Sequence, residues 1–156
     1  MQTFLPSANM CESARLLDSK RLNKQILEAY QILKVLSING SGWRNHPAVL
    51  MWKNSEQSLY TYALAMAEEA GIRHIKTDKN LANLETLKSE YLNSWGENTP
   101  SWFNSTEIKR ITTTHKARLF VKNPVYYARF AASVDSEYNK PCCVGCNYYW
   151  PTHVNR

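Results

Sequence analysis

The chain has 156 residues, 44% of them hydrophobic, 12% aromatic and 21% charged, a balance that fits a compact soluble domain and excludes disordered and fibrous classes. Five Gly and six Pro are too few for a linker or low-complexity protein, and no run approaches the roughly 18 apolar residues that span a bilayer. Nineteen Lys and Arg against 13 Asp and Glu give a formal charge of +6 and a pI near 9.2, which favours a polyanionic partner such as nucleic acid.

One domain is expected over residues 1–156. Met1-Gln2-Thr3-Phe4-Leu5-Pro6 lacks the basic start, long apolar stretch and small-residue cleavage site of a secretory signal, so Met1 is expected to be the mature first residue. Asp18 is a plausible N-cap for a helix running towards Leu36, in which Leu22, Ile26, Ala29, Leu33 and Leu36 recur at the spacing of a core-facing stripe. At about 100° per residue, Arg21, Gln25 and Glu28 fall within roughly a 60° arc beside that stripe and form its polar edge.

Asn39-Gly40-Ser41-Gly42 reads as a turn. After it, Pro47 suits a first helical turn, and helix formers continue to Glu69 with Gly71 as a stop. Leu81, Leu84, Leu87, Tyr91 and Leu92 mark a further helix, and a last long one starts near Ser105, carries Ile108, Ile111, His115 and Leu119, and ends before Asn123-Pro124. Strand alternation is essentially absent. The expectation is an all-α domain of four to five helices, with an irregular tail over 133–156 that cannot form an element of its own.

Three constellations have side chains suited to chemistry. Glu28 shares its helix with Lys20, Arg21 and Lys24, and a carboxylate held among cations can stay ionised and be aimed; the alternative is a solvated face of exchangeable ion pairs. Trp43-Arg44-Asn45-His46 can position phosphates and a base, or can be a tight turn whose indole fills the core. Thr112-Thr113-Thr114-His115-Lys116-Ala117-Arg118, followed by Lys122-Asn123-Pro124 and Tyr126-Tyr127-Ala128-Arg129-Phe130, combines hydroxyls, cations and rings of the kind that hold a sugar-phosphate backbone and stack on bases. Its alternative is core packing behind a basic helix.

The four cysteines are Cys11, Cys142, Cys143 and Cys146. Three clustered thiols and one remote one do not make a secreted disulfide framework, and a reducing cytoplasm fits better. Cys142, Cys143 and Cys146 followed by His153 would suffice for a tetrahedral structural zinc that pins the tail, against the alternative of buried or adventitious thiols.

Met1 to Pro6, Leu17-Asp18-Ser19-Lys20-Arg21-Leu22-Asn23-Lys24-Gln25 with Glu28, Gly42-Trp43-Arg44-Asn45-His46-Pro47-Ala48 with Met51-Trp52, His115-Lys116-Ala117-Arg118-Leu119 with Lys122-Asn123-Pro124 and Tyr127, and a closing Tyr149-Trp150-Pro151 together resemble the pyrimidine-dimer DNA glycosylase or endonuclease V family of phages and bacteria. The likeness is closer to the bacterial branch than to the phage prototype. It implies a compact all-α monomer that acts on double-stranded DNA containing a damaged or modified pyrimidine. It also implies a place in the cytoplasm of a bacterium or of a phage-infected cell, away from membranes.

By position, the resemblance makes the α-amine of Met1 the nucleophile and Glu28 the essential carboxylate of a glycosylase with AP lyase activity. A free α-amine titrates at about 7.7–8.0, against about 10.4 for lysine, so it is substantially neutral near physiological pH. It can form an imine with the deoxyribose, and no metal or cofactor is required. The prototype loses its methionine to expose a threonine, whereas Gln2 is too bulky for routine removal, leaving the nucleophile between Met1 and, after processing, Gln2. Arg21, Lys24 and Gln25 become candidates for gripping phosphates. Arg44, His46, His115, Lys116, Arg118, Tyr126 and Tyr127 are the remaining DNA-binding candidates. The prototype has no counterpart of the cysteine cluster. A non-catalytic DNA-binding module on the same scaffold, its tail held by zinc, is the competing expectation, and a nucleotide-processing enzyme is a more distant one.

Overall fold

In the computed structural model, which describes residues 1–38, 42–139 and 148–152, every regular element is helical, as expected for an all-α chain. Six α-helices occur among the described residues: α1 (Met10–Leu16), α2 (Ser19–Ser37), α3 (Pro47–Leu50), α4 (Glu56–Ile72), α5 (Asp78–Tyr91) and α6 (Glu107–Lys122). Short 3-10 segments lie at Leu92–Ser94, Ser101–Asn104, Ala128–Asp135 and Glu137–Asn139.

The organising element is α2. Asp18 accepts the Arg21 N–H at 3.0 Å as its N-cap, and Leu22, Ile26, Ala29, Ile32 and Leu33 are fully buried along one side. Each large aliphatic side chain so buried contributes about 1.5–3 kcal/mol, enough to hold a helix of ordinary intrinsic preference. α4 and α5 pack against α2, α1 packs against α4, and the Ala128–Asp135 segment packs on α6.

The structure departs from the expected elements at four places. The stretch after Pro47 is not one helix: α3 ends at Leu50 and the chain turns through Asn54 with φ 64°. This break lets Trp52 face inward, where its Nε1–H donates to Thr3 Oγ1 at 3.0 Å. Glu56 accepts the N–H groups of Asn54 (3.2 Å) and Gly96 (2.8 Å), and a Cβ on Gly96 would stand 2.2 Å from the Asn54 carbonyl oxygen, so only glycine fits there.

Gly71 does not stop α4. The left-handed residue is His74, φ 58°, and Ile75 N–H reaches back to Ala70 O at 2.9 Å in a Schellman closure. α1 was absent from the expected set because its seven residues are too few to show a period, although Asn9 caps it by accepting the Glu12 N–H at 2.9 Å. The segment expected to be irregular from about Ser133 begins as 3-10 turns over Ala128–Asp135 and Glu137–Asn139.

What positions the site is the extended segment that precedes α1. Thr3, Phe4 and Leu5 are buried, yet they belong to no helix, so their backbone groups must find partners elsewhere. Interior side chains supply them. Gln25 Oε1 accepts Phe4 N–H at 2.8 Å, His115 Nδ1 accepts Leu5 N–H at 2.9 Å, and Tyr62 donates to Phe4 O at 2.8 Å. Helices α2, α4 and α6 each contribute one clasp, and together they thread the amino terminus into the body of the protein.

Candidate active site

The threaded segment delivers Met1 to α2. Its α-amino group lies 3.8 Å from Glu28 Oε2, and its side chain is 9% exposed. The same oxygen accepts the Gln2 N–H at 3.1 Å, while Lys24 Nζ stands 3.7 Å from Glu28 Oε1. A carboxylate with one oxygen on a primary amine and its neighbouring amide, and the other on a lysine, can orient the amine, take a proton and stabilise nearby positive charge.

Glu28 opens into a cleft of about 470 Å³ lined by Gln2, Phe4, Asp18, Lys20, Arg21, Lys24, Gln25, Lys122, Asn123 and Tyr148. Four of these are cations. Among the described residues, no carboxylate pairs with Lys20 or Lys122. Burial, and then repulsion from Arg21, Arg118 and Lys24, lower the Lys122 ammonium below its ordinary value, as expected for an ammonium set among other cations. Such a site attracts an anion. On the other flank of Met1, a recess of about 400 Å³ is lined by Gln31, Lys34, Val35 and the exposed indole of Trp43.

The expected site residues separate into distinct groups. Glu28, Arg21, Lys24 and Gln25 line the cleft, and Met1, which lines the recess instead, meets Glu28 from its other side. Arg21 is also committed to Asp18 Oδ2 at 2.5 Å and lies over the Tyr127 ring, 5.7 Å from its centroid. Gln25 is 1% exposed, and its carbonyl is occupied by Phe4 N–H and the Tyr62 hydroxyl, so this oxygen serves the amino-terminal segment rather than the cleft.

His115 and Tyr127, expected on a DNA-facing surface, are fully buried. Burial pushes the His115 imidazole down to about 3, consistent with a neutral ring whose Nδ1 accepts from Leu5. Tyr127 donates to Asp18 Oδ2 at 2.6 Å and accepts Asp18 N–H at 2.8 Å. Burial raises the Asp18 carboxyl, but the Tyr127 and Arg21 contacts outweigh it and hold the group below the usual carboxylate value.

His46 caps α3 by accepting Ala48 N–H at 3.1 Å. Burial and the charge of the α-amino group lower its pKa against an opposite pull from Glu28. Arg44 is exposed on the preceding turn. Arg118 stacks on Tyr148, 5.4 Å from the ring centroid. Lys116 lies over Phe130 and lines a separate depression with Pro6, Glu12 and Lys109, so it does not share the cleft. Tyr126 is half exposed and donates to Leu17 O at 3.2 Å.

Sequence reasoning placed Lys20, Lys122 and Asn123 only in wider constellations, without a role at the cleft, and left out Tyr148 and the contact made by Trp150. Trp150 donates to Gln2 Oε1 at 2.9 Å, and Tyr148 lines the cleft. The Lys122-Asn123-Pro124 run was the available signal, since it fixes where α6 must end. Cys142, Cys143, Cys146 and His153 lie outside the described residues. Among the described residues no group of three His, Cys, Asp or Glu side chains could hold a metal, and no helix is long and apolar enough to cross a membrane.

A family profile described as pyrimidine dimer DNA glycosylase matches residues 1–83, just over half of the 156-residue chain. The chain belongs to the pyrimidine dimer DNA glycosylase family. The match takes in the amino-terminal segment, all of α2 and the Trp43–His46 turn, and so contains Met1 and Glu28. Comparison with curated proteins and with solved structures gave no match. Membership in a DNA glycosylase family makes DNA the substrate class, which agrees with the cationic cleft beside Glu28.

Proposed function

We propose that this pyrimidine dimer DNA glycosylase family member excises a damaged or modified pyrimidine and then cleaves the abasic strand, using the α-amine of Met1 as nucleophile and Glu28 as its carboxylate. The observation that carries this proposal is the 3.8 Å approach of the Met1 amine to Glu28 Oε2 at the wall of a cleft rich in lysine and arginine. A neutral amine uses its lone pair to bond to C1′ as the bond from C1′ to the base breaks. The base leaves with the electron pair of the bond that breaks and takes up a proton. The attached amine then loses a proton, its lone pair forms the C1′=N bond as the C1′–O4′ bond breaks, and O4′ keeps that bond's electron pair and is protonated, giving an imine that is itself protonated. This electron sink acidifies the C2′ hydrogen, Glu28 accepts it, and the 3′ phosphate departs by β-elimination.

Lys20, Lys24, Arg21 and Lys122 would hold the flanking phosphates, and the recess beside Met1 and Trp43 has the dimensions and the aromatic wall to receive an extruded base. No step requires a metal. Incubation with an abasic oligonucleotide and borohydride is expected to trap a covalent adduct that disappears when the α-amine is acetylated. Salt-sensitive DNA binding without any adduct would instead identify a non-catalytic DNA-binding module.

A further inference from the structure

We propose that Val125 is a wedge that enters the base stack of duplex DNA beside the cleft, helping to unstack a base at the lesion. This deepens the DNA-cleaving function proposed above and rests on it for the identity of the ligand. Val125 is 91% exposed, the most exposed large apolar side chain among the described residues. A single exposed valine is ordinary, but the support and surroundings of this one are not.

Its turn is fixed at both ends. Asn123 lines the cationic cleft, its backbone carbonyl accepts Tyr127 N–H at 3.0 Å, and its side-chain Oδ1 accepts Tyr126 N–H at 3.1 Å. Pro124 restricts the backbone between them. On the far side, the Tyr127 hydroxyl is bound to Asp18 and the Tyr126 hydroxyl to Leu17 O. Val125 is therefore presented on a frame that loses little freedom on binding. Two residues from Asn123, it lies within about 7 Å of the cleft rim.

One cation precedes this turn along the chain and another follows it. Lys122 precedes the turn in the cleft wall, and Arg129 follows it, with its guanidinium 6.0 Å from the centroid of the Tyr126 ring. An apolar point flanked by phosphate-binding groups matches the chemistry of a base-paired duplex, in which charged backbones border an apolar stack. It does not match a lipid or an apolar protein face. Branched apolar side chains inserted at a base step unstack it and kink the helix, and the unstacking assists extrusion of a neighbouring nucleotide.

The test uses the full-length protein and a duplex carrying an uncleavable tetrahydrofuran abasic analogue opposite 2-aminopurine, whose fluorescence rises on unstacking. The wild-type protein is expected to raise the signal. Val125→Gly should lower that rise roughly tenfold while leaving the salt slope of binding unchanged, and Val125→Leu should restore it. Because the side chain is 91% exposed, thermal melting of both variants should match the wild type. An undiminished rise in Val125→Gly, or an equal loss of binding to undamaged duplex, would overturn the wedge. Borohydride trapping on a single-stranded abasic oligonucleotide, where no stack needs opening, separates the two proposals. A Val125→Gly protein that still forms the adduct there places its defect in unstacking, whereas absence of the wild-type adduct sinks the covalent chemistry and leaves the fluorescence result to judge the wedge alone.

Discussion

The two sides of the cleft are built on opposite principles. The segment carrying Met1 is held by Gln25, His115 and Tyr62, all buried, through hydrogen bonds of 2.8–2.9 Å. The facing cations Lys20, Lys24 and Lys122 sit on exposed helix surface. Fixed geometry suits a group that must meet one carbon atom, since small misplacements at a reacting centre are costly in rate. Mobile charge suits a backbone whose shape changes as DNA bends. The rigid side should therefore control turnover and stability, and the mobile side should control salt-dependent affinity.

The sharpest way to break this division is Glu28→Gln, which preserves shape but removes the charge beside the amine. Strand cleavage and borohydride trapping should fall by about 10²–10⁴-fold while duplex affinity stays within about twofold. Single-turnover cleavage and a binding titration on the same duplex check it, and unchanged cleavage would remove Glu28 from the mechanism.

The next effect is on folding. His115 titrates near 6.5 when unfolded and is pushed down to about 3 by burial. Above that window the ring is neutral in both states. Within it, the unfolded chain binds a proton that the folded one refuses, so stability falls as the pH falls, by about 1.4 kcal/mol for each pH unit. Urea melts at about pH 7 and about pH 5 should show this loss, and His115→Gln should flatten it.

The smallest effects belong to the mobile side. Lys20→Ala and Lys122→Ala should each reduce the slope of log affinity against log salt by about 0.9, and should change stability by less than about 0.5 kcal/mol. A large stability loss in either would show that the rim is part of the scaffold after all.

The amphipathic period of α2, its Asp18 cap and the Arg21, Gln25 and Glu28 edge were legible because a core-facing helix repeats its burial every 3.6 residues. Periodicity does not reveal whether a polar side chain on such an edge faces water or a neighbouring backbone. Gln25 and His115 accordingly looked like DNA contacts, although both clasp Phe4 and Leu5. The meeting of Met1 with Glu28 was carried by family resemblance, because no spacing within one helix encodes the path of a segment 26 residues away. The break at Asn54 was hidden for another reason: Val49, Leu50, Met51 and Trp52 are as apolar as the helices on either side, and the turn depends on distant Gly96.

The anchoring of Thr3, Phe4 and Leu5 in the interior, which fixes where Met1 ends up, bears on how the protein can be handled. An affinity tag or fluorescent label fused ahead of Met1 would convert its amine into an amide and occupy the space beside Glu28. On the mechanism proposed above, such a preparation should fold and bind duplex yet form no adduct.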